Sequence, residues 1–204
     1  LYQGSPGAYS HLAALEAYPD AEVIACKTFD ECFVKAENDE KIKIIIPESN
    51  RITGNIGIEY LIFKHRLNIY AEHFHKVEHN LLGIKGSKLE DIKNVFSHQQ
   101  ALSQCSNFIK KNKMIENVRA DTAGSAKLIS TNQDISEAAI ASKLSAKIYE
   151  LEIIKANIEN ESGNATRFLI MGKPVSQPEF NKGKYITSFL FKLKSKPAAL
   201  YQSL

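Results

Sequence analysis

Short β-rich runs alternate with amphipathic helical stretches along almost the whole chain, an order that admits little besides an α/β fold. Strands are expected at residues 1–3, 22–26, 42–46, 68–70, 81–85, 95–97, 118–120, 138–141 and 168–171. Helices are expected at residues 8–18, 29–38, 56–64, 99–111, 122–130 and 143–151. Thr28, with Glu31 three residues on, reads as a capping box. Ser97 reads as the N-cap of the helix that opens at His98. Regular alternation predicts mostly parallel sheets, whose ligands gather beyond the carboxyl ends of the strands. Five polar, glycine- or small-residue-bearing segments fall at such places: residues 3–10, 47–54, 97–100, 121–125 and 164–167. Their scatter predicts one composite site.

The 204 residues suffice for one large domain or two lobes sharing a cleft. A net charge of +3 is spread over scattered lysines, with no basic stripe interleaved with aromatics, so a nucleic-acid partner is not expected. The longest apolar run, residues 42–47, contains a lysine and is too short to span a bilayer, so no membrane partner is expected either. Cys26, Cys32 and Cys105 form no CxxC and cannot all pair. That points to a reducing compartment and a cytoplasmic location. After a Pro-, Gln-, Asn- and Gly-bearing linker at 173–184, a strand is expected at 185–193 and a helix near Pro197. A lone strand and part of a helix cannot fold alone, so this tail reads as the first βα unit of a second domain, cut off.

The segments that carry chemistry each admit a plain reading as well. Gly4-Ser5-Pro6-Gly7-Ala8-Tyr9-Ser10 leads from a strand into a helix, where glycines let backbone N–H groups approach an anion. Taken alone, it reads first as a tight strand–helix turn that binds nothing. Asp121-Thr122-Ala123-Gly124 repeats the arrangement, with Asp121 or Thr122 also suited to capping the helix. Ser97-His98-Gln99-Gln100 places polar groups at a third helix start, with Cys105 behind as a buried thiol rather than a nucleophile. In Asn164-Ala165-Thr166-Arg167-Phe168, Arg167 suits a bidentate carboxylate contact and Thr166 offers a hydroxyl proton. The plain alternative is a strand start with a surface arginine. His73 and His75 share a strand face and His79 follows, but no fourth ligand completes a site, so no metal is expected.

Taken together and in order, these segments resemble the prephenate dehydratase family. Tyr2 to His11 is similar to its opening Gly-rich motif, and Glu78-His79-Asn80-Leu81-Leu82 to its His-x-Leu-Leu stretch. Ser97 through Cys105 resembles its Ser-His-x-Gln-Ala-Leu-x-Gln-Cys signature, followed by Asp121-Thr122-Ala123, Ala138 to Ser142 and the Thr-Arg-Phe motif at 166–168. Residues 187–201 look like the start of an ACT regulatory domain. One loop departs: the family's Pro-x-Glu-Asn-Ser-x-x-Gly is here Pro47-Glu48-Ser49-Asn50-Arg51-Ile52-Thr53-Gly54, keeping Asn50 but placing Ser49 and Arg51 where the family has Glu and Ser.

The resemblance implies a two-lobed fold like that of type II periplasmic binding proteins, with a central cleft. Catalytic residues 1–180 would divide into lobe one (1–77 plus 164–180) and lobe two (78–163). Residues 185–204 would begin an α+β ACT domain. It implies decarboxylating dehydration of prephenate to phenylpyruvate without a cofactor, in phenylalanine biosynthesis. Thr166 would be the catalytic donor. Arg167, Phe168, Asn50, Ser97, Gln100, Asp121, Thr122, Ala123, Gly7, Ala8, Tyr9 and Ser10 would bind substrate. L-phenylalanine would act at the complete ACT domain, and the protein would be a homo-oligomer. The rivals are arogenate dehydration and a non-catalytic binding homologue in which Arg51 blocks chemistry.

Overall fold

A computed structural model describes residues 1–174 and 193–203. Two separate sheets, each clothed in helices, carry the elements β1 (Tyr2–Gln3), α1 (Tyr9–Ala17), β2 (Ala25–Cys26), α2 (Phe29–Asn38), β3 (Lys43–Asn50), β4 (Gly54–Asn55), α3 (Glu59–Lys64), β5 (Asn68–Lys76), β6 (Asn80–Gly83), β7 (Asn94–His98), α4 (Gln99–Gln104), α5 (Ser106–Lys111), β8 (Ile115–Arg119), α6 (Thr122–Asn132), β9 (Glu137–Ala141), α7 (Lys143–Ile148), β10 (Glu152–Lys155), β11 (Ala165–Gly172) and α8 (Ala199–Ser203). Sheet one runs β2-β1-β3-β11-β5, with β4 paired to β3; sheet two runs β10-β6-β9-β7-β8. The chain passes from sheet one to sheet two between β5 and β6, and returns between β10 and β11.

Why each sheet is covered on both faces is written in its central strands. Along Ile44-Ile45-Ile46, Ile44 and Ile46 pack with Phe33 of α2 and Leu61 of α3, whereas Ile45 packs with Ala13 and Ala14 of α1. β11 divides the same way, Leu169 and Met171 to the α2/α3 side and Phe168 and Ile170 to the α1 side. In sheet two, Leu81 and Ile140 join Leu102 and Ile109, while Leu82 and Ala139 join Ala126 and Ile129 of α6. Period-two alternation thus splits continuous apolar runs between two cores.

Several expectations need correction. The sheets are mixed, not mostly parallel: β1 lies parallel to β2 and β3, and β7 parallel to β8 and β9, but β11 is antiparallel to both β3 and β5, and β6 to both β9 and β10. In sheet one the cause is that β11 returns from the far sheet and enters between β3 and β5. The helix expected over 99–111 is broken at Cys105, which ends α4 and precedes α5. Ser97 is not the N-cap; it ends inside β7, and the His98 side chain accepts from the Gln100 N–H. Thr28 does cap α2 by accepting from the Glu31 N–H, while Glu31 reaches back to the N–H of Lys27 rather than that of Thr28. The expected strand at 185–193 lies almost wholly outside the described residues, as do residues 175–180 of the proposed first lobe. No helix among the described residues is long and apolar enough to cross a membrane.

Candidate active site between the sheets

β11 and β3 pair with Ile45 opposite Ile170 and Pro47 opposite Phe168, then slip by one residue so that Ser49 faces Arg167 and Asn50 faces Thr166. Glu48 is the extra residue. Without this bulge Ser49 would stand opposite Thr166, so the irregularity puts Asn50 in place. Thr166 is also directly opposite His75 of β5.

The amide of Asn50 has its orientation set by the backbone. Its Oδ1 accepts from the N–H groups of Ile52 at 3.0 Å and Thr53 at 3.1 Å. Nδ2 therefore points the other way, donating to Thr166 Oγ1 at 2.9 Å and to Asn164 Oδ1 at 2.8 Å. That polarity propagates. Asn164 Nδ2 donates to Gln104 Oε1 at 3.1 Å, so the same oxygen, 2.7 Å from His79 Nε2, faces a ring N–H. In the neutral ring His79 Nδ1 is then an acceptor, 2.8 Å from the Tyr9 hydroxyl, whose single proton it shares with the Glu78 carbonyl at 2.9 Å. Six side chains, from β3 and β11 of sheet one, helices α1 and α4 and the two loops that join the sheets, form one ordered chain, and Thr166 stands at its end. Its oxygen already accepts a hydrogen bond, and its proton has no acceptor among the described residues.

Burial tunes the far end of this chain. It pushes the Tyr9 hydroxyl well above the ordinary phenol range and lowers His79 below its usual value, against a smaller upward pull from the Gln104 contact. Between its folded pKa and about 6.5 the unfolded chain holds a proton that folded His79 does not. Folding stability from this residue is therefore complete above that window and falls as the pH drops through it. Accordingly, the fall in Tm between about pH 7.5 and about pH 5.5 should be smaller in His79→Gln than in wild type. An unchanged fall would place the acid sensitivity elsewhere.

The glycine-rich opening serves the contact between the two sheets. Gly7 has φ +92° and its carbonyl accepts from the hydroxyls of Ser142 at 2.5 Å and Ser145 at 3.0 Å. The Tyr149 hydroxyl donates to the Pro6 carbonyl. A Cβ on Gly7 would lie 2.6 Å from Ser145 Oγ and 2.9 Å from its Cα, in a backbone conformation that side chains disfavour. Gly7→Ala is expected to cost roughly 2 kcal/mol or more, a fall in Tm of roughly 4–8 °C in thermal unfolding. Alongside this contact, Tyr9, Glu16, His75, Asn80, Ser142 and Lys143 border a cavity of about 330 Å³.

Not every expected residue joins this constellation. Thr166, Asn50 and Tyr9 meet through it, and Gly7 stands at the sheet-to-sheet contact. Ala8 and the buried Ser10 begin α1. Arg167 does not share the face of Thr166: adjacent strand residues point to opposite faces, and its guanidinium is bound to Glu72 at 2.8 Å and Glu48 at 3.2 Å. Phe168 is a core residue, 1% exposed. Ser97 is enclosed and its hydroxyl donates to the Ile140 carbonyl. Gln100 is exposed; the glutamine that joins the hydrogen-bonded chain is Gln104, one turn later. Asp121 caps α6 by accepting from the Gly124 N–H, leaving Thr122 and Ala123 at the first turn. Arg51 is exposed and reaches the Gly163 carbonyl. Cys105 is buried, with its thiol pushed up by desolvation, as suits a core residue.

Gln104, Asn164 and His79 were not anticipated at the site. Each lies inside one of the sequence motifs, at 78–82, 97–105 or 164–168, but only the fold shows which polar residue of a motif turns inward.

Compared with known proteins, the chain matches the family described as prephenate dehydratase over residues 1–176. It is 41% identical to arogenate dehydratase/prephenate dehydratase 1, chloroplastic, of Arabidopsis thaliana, covering 100% of this chain and 52% of that protein. It is 34% identical to a bifunctional N-acyl-homoserine lactone acylase/prephenate dehydratase of Komagataeibacter europaeus, covering 100% of this chain and 73% of that protein. The prephenate dehydratase of Staphylococcus aureus superposes with a TM-score of 0.73 at 25% identity, over 86% of this chain and 66% of that one. That of Arthrobacter aurescens, solved with L-Phe, superposes with a TM-score of 0.79 at 23% identity, over 88% of this chain and 62% of that one, a likeness of fold. The chain spans about half the length of the plant relatives it matches.

Proposed function

This chain belongs to the prephenate dehydratase family, and we propose that it holds prephenate between its two sheets and converts it to phenylpyruvate. In that reaction the ring carboxylate leaves as carbon dioxide. The electrons of the broken C–C bond enter the ring, and the ring hydroxyl on the opposite carbon departs as water on taking up a proton. Aromatisation supplies the drive, so the protein has to hold a dianion and assist the leaving hydroxyl.

The observation that carries this reading is the polarity at Thr166. Because Asn50 Nδ2 donates to its oxygen, the hydroxyl proton is left to point at a substrate oxygen, and accepting a bond makes that proton a better donor. A neutral alcohol is too weak an acid for full transfer, so Thr166 acts as a positioned donor. For the carboxylates, the opening N–H groups of α1 at Tyr9 and Ser10 and of α6 at Thr122 and Ala123 are natural donors. Lys143, on the cavity wall, adds a cation. Arg167 is assigned to its two glutamates instead of to substrate.

Arogenate is the second reading, favoured by the names of the plant relatives. It differs in carrying an amino group where prephenate has a keto group. The full-length protein, given each substrate in parallel, should form phenylpyruvate from prephenate with a kcat/KM at least about tenfold above that for phenylalanine from arogenate. The inverse ratio would transfer the assignment to arogenate; neither product would sink both readings. We further assign the tail to an ACT domain that binds L-phenylalanine in a homo-oligomeric protein, which feedback inhibition of the full-length enzyme would test.

A further inference from the structure

Two histidines of β5 have no part in the dehydration just described. His73 and His75 alternate onto the face of sheet one that α1 covers, and Glu16, in the last turn of α1, lies across them. Glu16 Oε2 is 3.0 Å from His73 Nε2 and 2.8 Å from His75 Nδ1. The three ligand atoms lie within 4.8 Å of one another, and the described residues contain no other such group of three. His79, which the sequence placed beside this pair, turns away to Gln104 and Tyr9.

We propose that Glu16, His73 and His75 form a binding site for a divalent transition metal, with zinc as the best fit. Two imidazoles and one carboxylate are a borderline donor set, suited to zinc and poorly suited to magnesium or calcium. Three protein ligands with a vacant fourth position are the usual arrangement of an open zinc site. A tetrahedral centre with bonds of about 2.05 Å sets its ligand atoms roughly 3.3 Å apart. The two contacts at 3.0 and 2.8 Å fall short of that by only a few tenths of an ångström, as expected when N–H···O bonds hold the same groups together. The flexible partner is the one that has to yield: the Glu16 side chain is 45% exposed, against 7% for His75. Both Glu16 and His75 border the cavity between the sheets, which gives an ion a route to the site.

The test uses the full-length protein, freed of metal and titrated with Zn²⁺ alone by calorimetry, with Co²⁺ as a spectroscopic probe. One zinc should bind per chain, at least about tenfold more weakly in Glu16→Gln and in His73→Gln. Cobalt should give visible d–d bands without a thiolate charge-transfer band, which sets this site apart from the three cysteines. No zinc binding up to about 100 μM, equal binding by both folded variants, or a thiolate band would each overturn the proposal. His73 is partly exposed, so its variant keeps the core intact; if a variant nonetheless unfolds, the wild-type stoichiometry and cobalt spectrum decide the question.

Discussion

Thr166→Ala is expected to lower turnover on prephenate by about 10²-fold or more, with KM changed by no more than about threefold. The hydroxyl is proposed to act on the leaving oxygen, a contact that strengthens as the C–O bond breaks, so its loss falls on kcat. Thr166 is 8% exposed and its neighbours are held by other bonds, so the fold should survive, and circular dichroism will show whether it does. Thr166→Ser keeps the donor on the same strand position and should retain most of the activity. Turnover of the alanine variant within a factor of about two of wild type would remove Thr166 from the mechanism.

Asn50→Asp should cost about as much, at least about 10²-fold in turnover, although it exchanges one atom for another of similar size. Both N–H bonds of Asn50 Nδ2, to Thr166 and Asn164, would be replaced by a carboxylate oxygen facing two oxygens. The nearest remedy is for Thr166 to turn its proton onto the introduced carboxylate, which removes it from the substrate. The backbone N–H groups of Ile52 and Thr53 would still be satisfied by the other oxygen, so the turn itself should persist. A variant with Tm close to wild type and turnover reduced by less than about threefold would show that the polarity of this chain does not matter. Asn50→Ala would confound the two effects by also releasing the turn.

Much of the fold was legible because its strongest signals are local. Phe29–Asn38 lies where the capping pattern and apolar spacing put it, and the central strands β3, β6, β9 and β11 follow their apolar runs. β10 went unseen because Glu152-Ile153-Ile154-Lys155 is a short edge strand with three of its four residues exposed. β4 is two residues long. Strand direction was the larger loss: nothing local distinguishes a strand that continues a parallel sheet from one that returns from elsewhere, as β11 does. At the candidate site, Thr166, Asn50 and Tyr9, all named by the family resemblance, lie in one hydrogen-bonded chain. Arg167 lies apart from them, bound to Glu72 and Glu48, because two residues side by side in a motif leave a strand on opposite faces. Gln104 and not Gln100 joins the chain, a choice the sequence does not mark because both glutamines belong to the same motif one turn apart. The bulge at Glu48, which brings Asn50 opposite Thr166, is a tertiary feature with no local signature.

The proposed dehydration requires the free proton of Thr166 to meet a substrate oxygen between the sheets. A crystal structure with an unreactive ring-hydroxylated dicarboxylate bound tests it most directly. The ligand hydroxyl should lie within roughly 3.0 Å of Thr166 Oγ1, with Asn50 Nδ2 still on the other side of that oxygen. A ligand seated away from Thr166, or a Thr166 proton given to a protein acceptor while the ligand is bound, would contradict it.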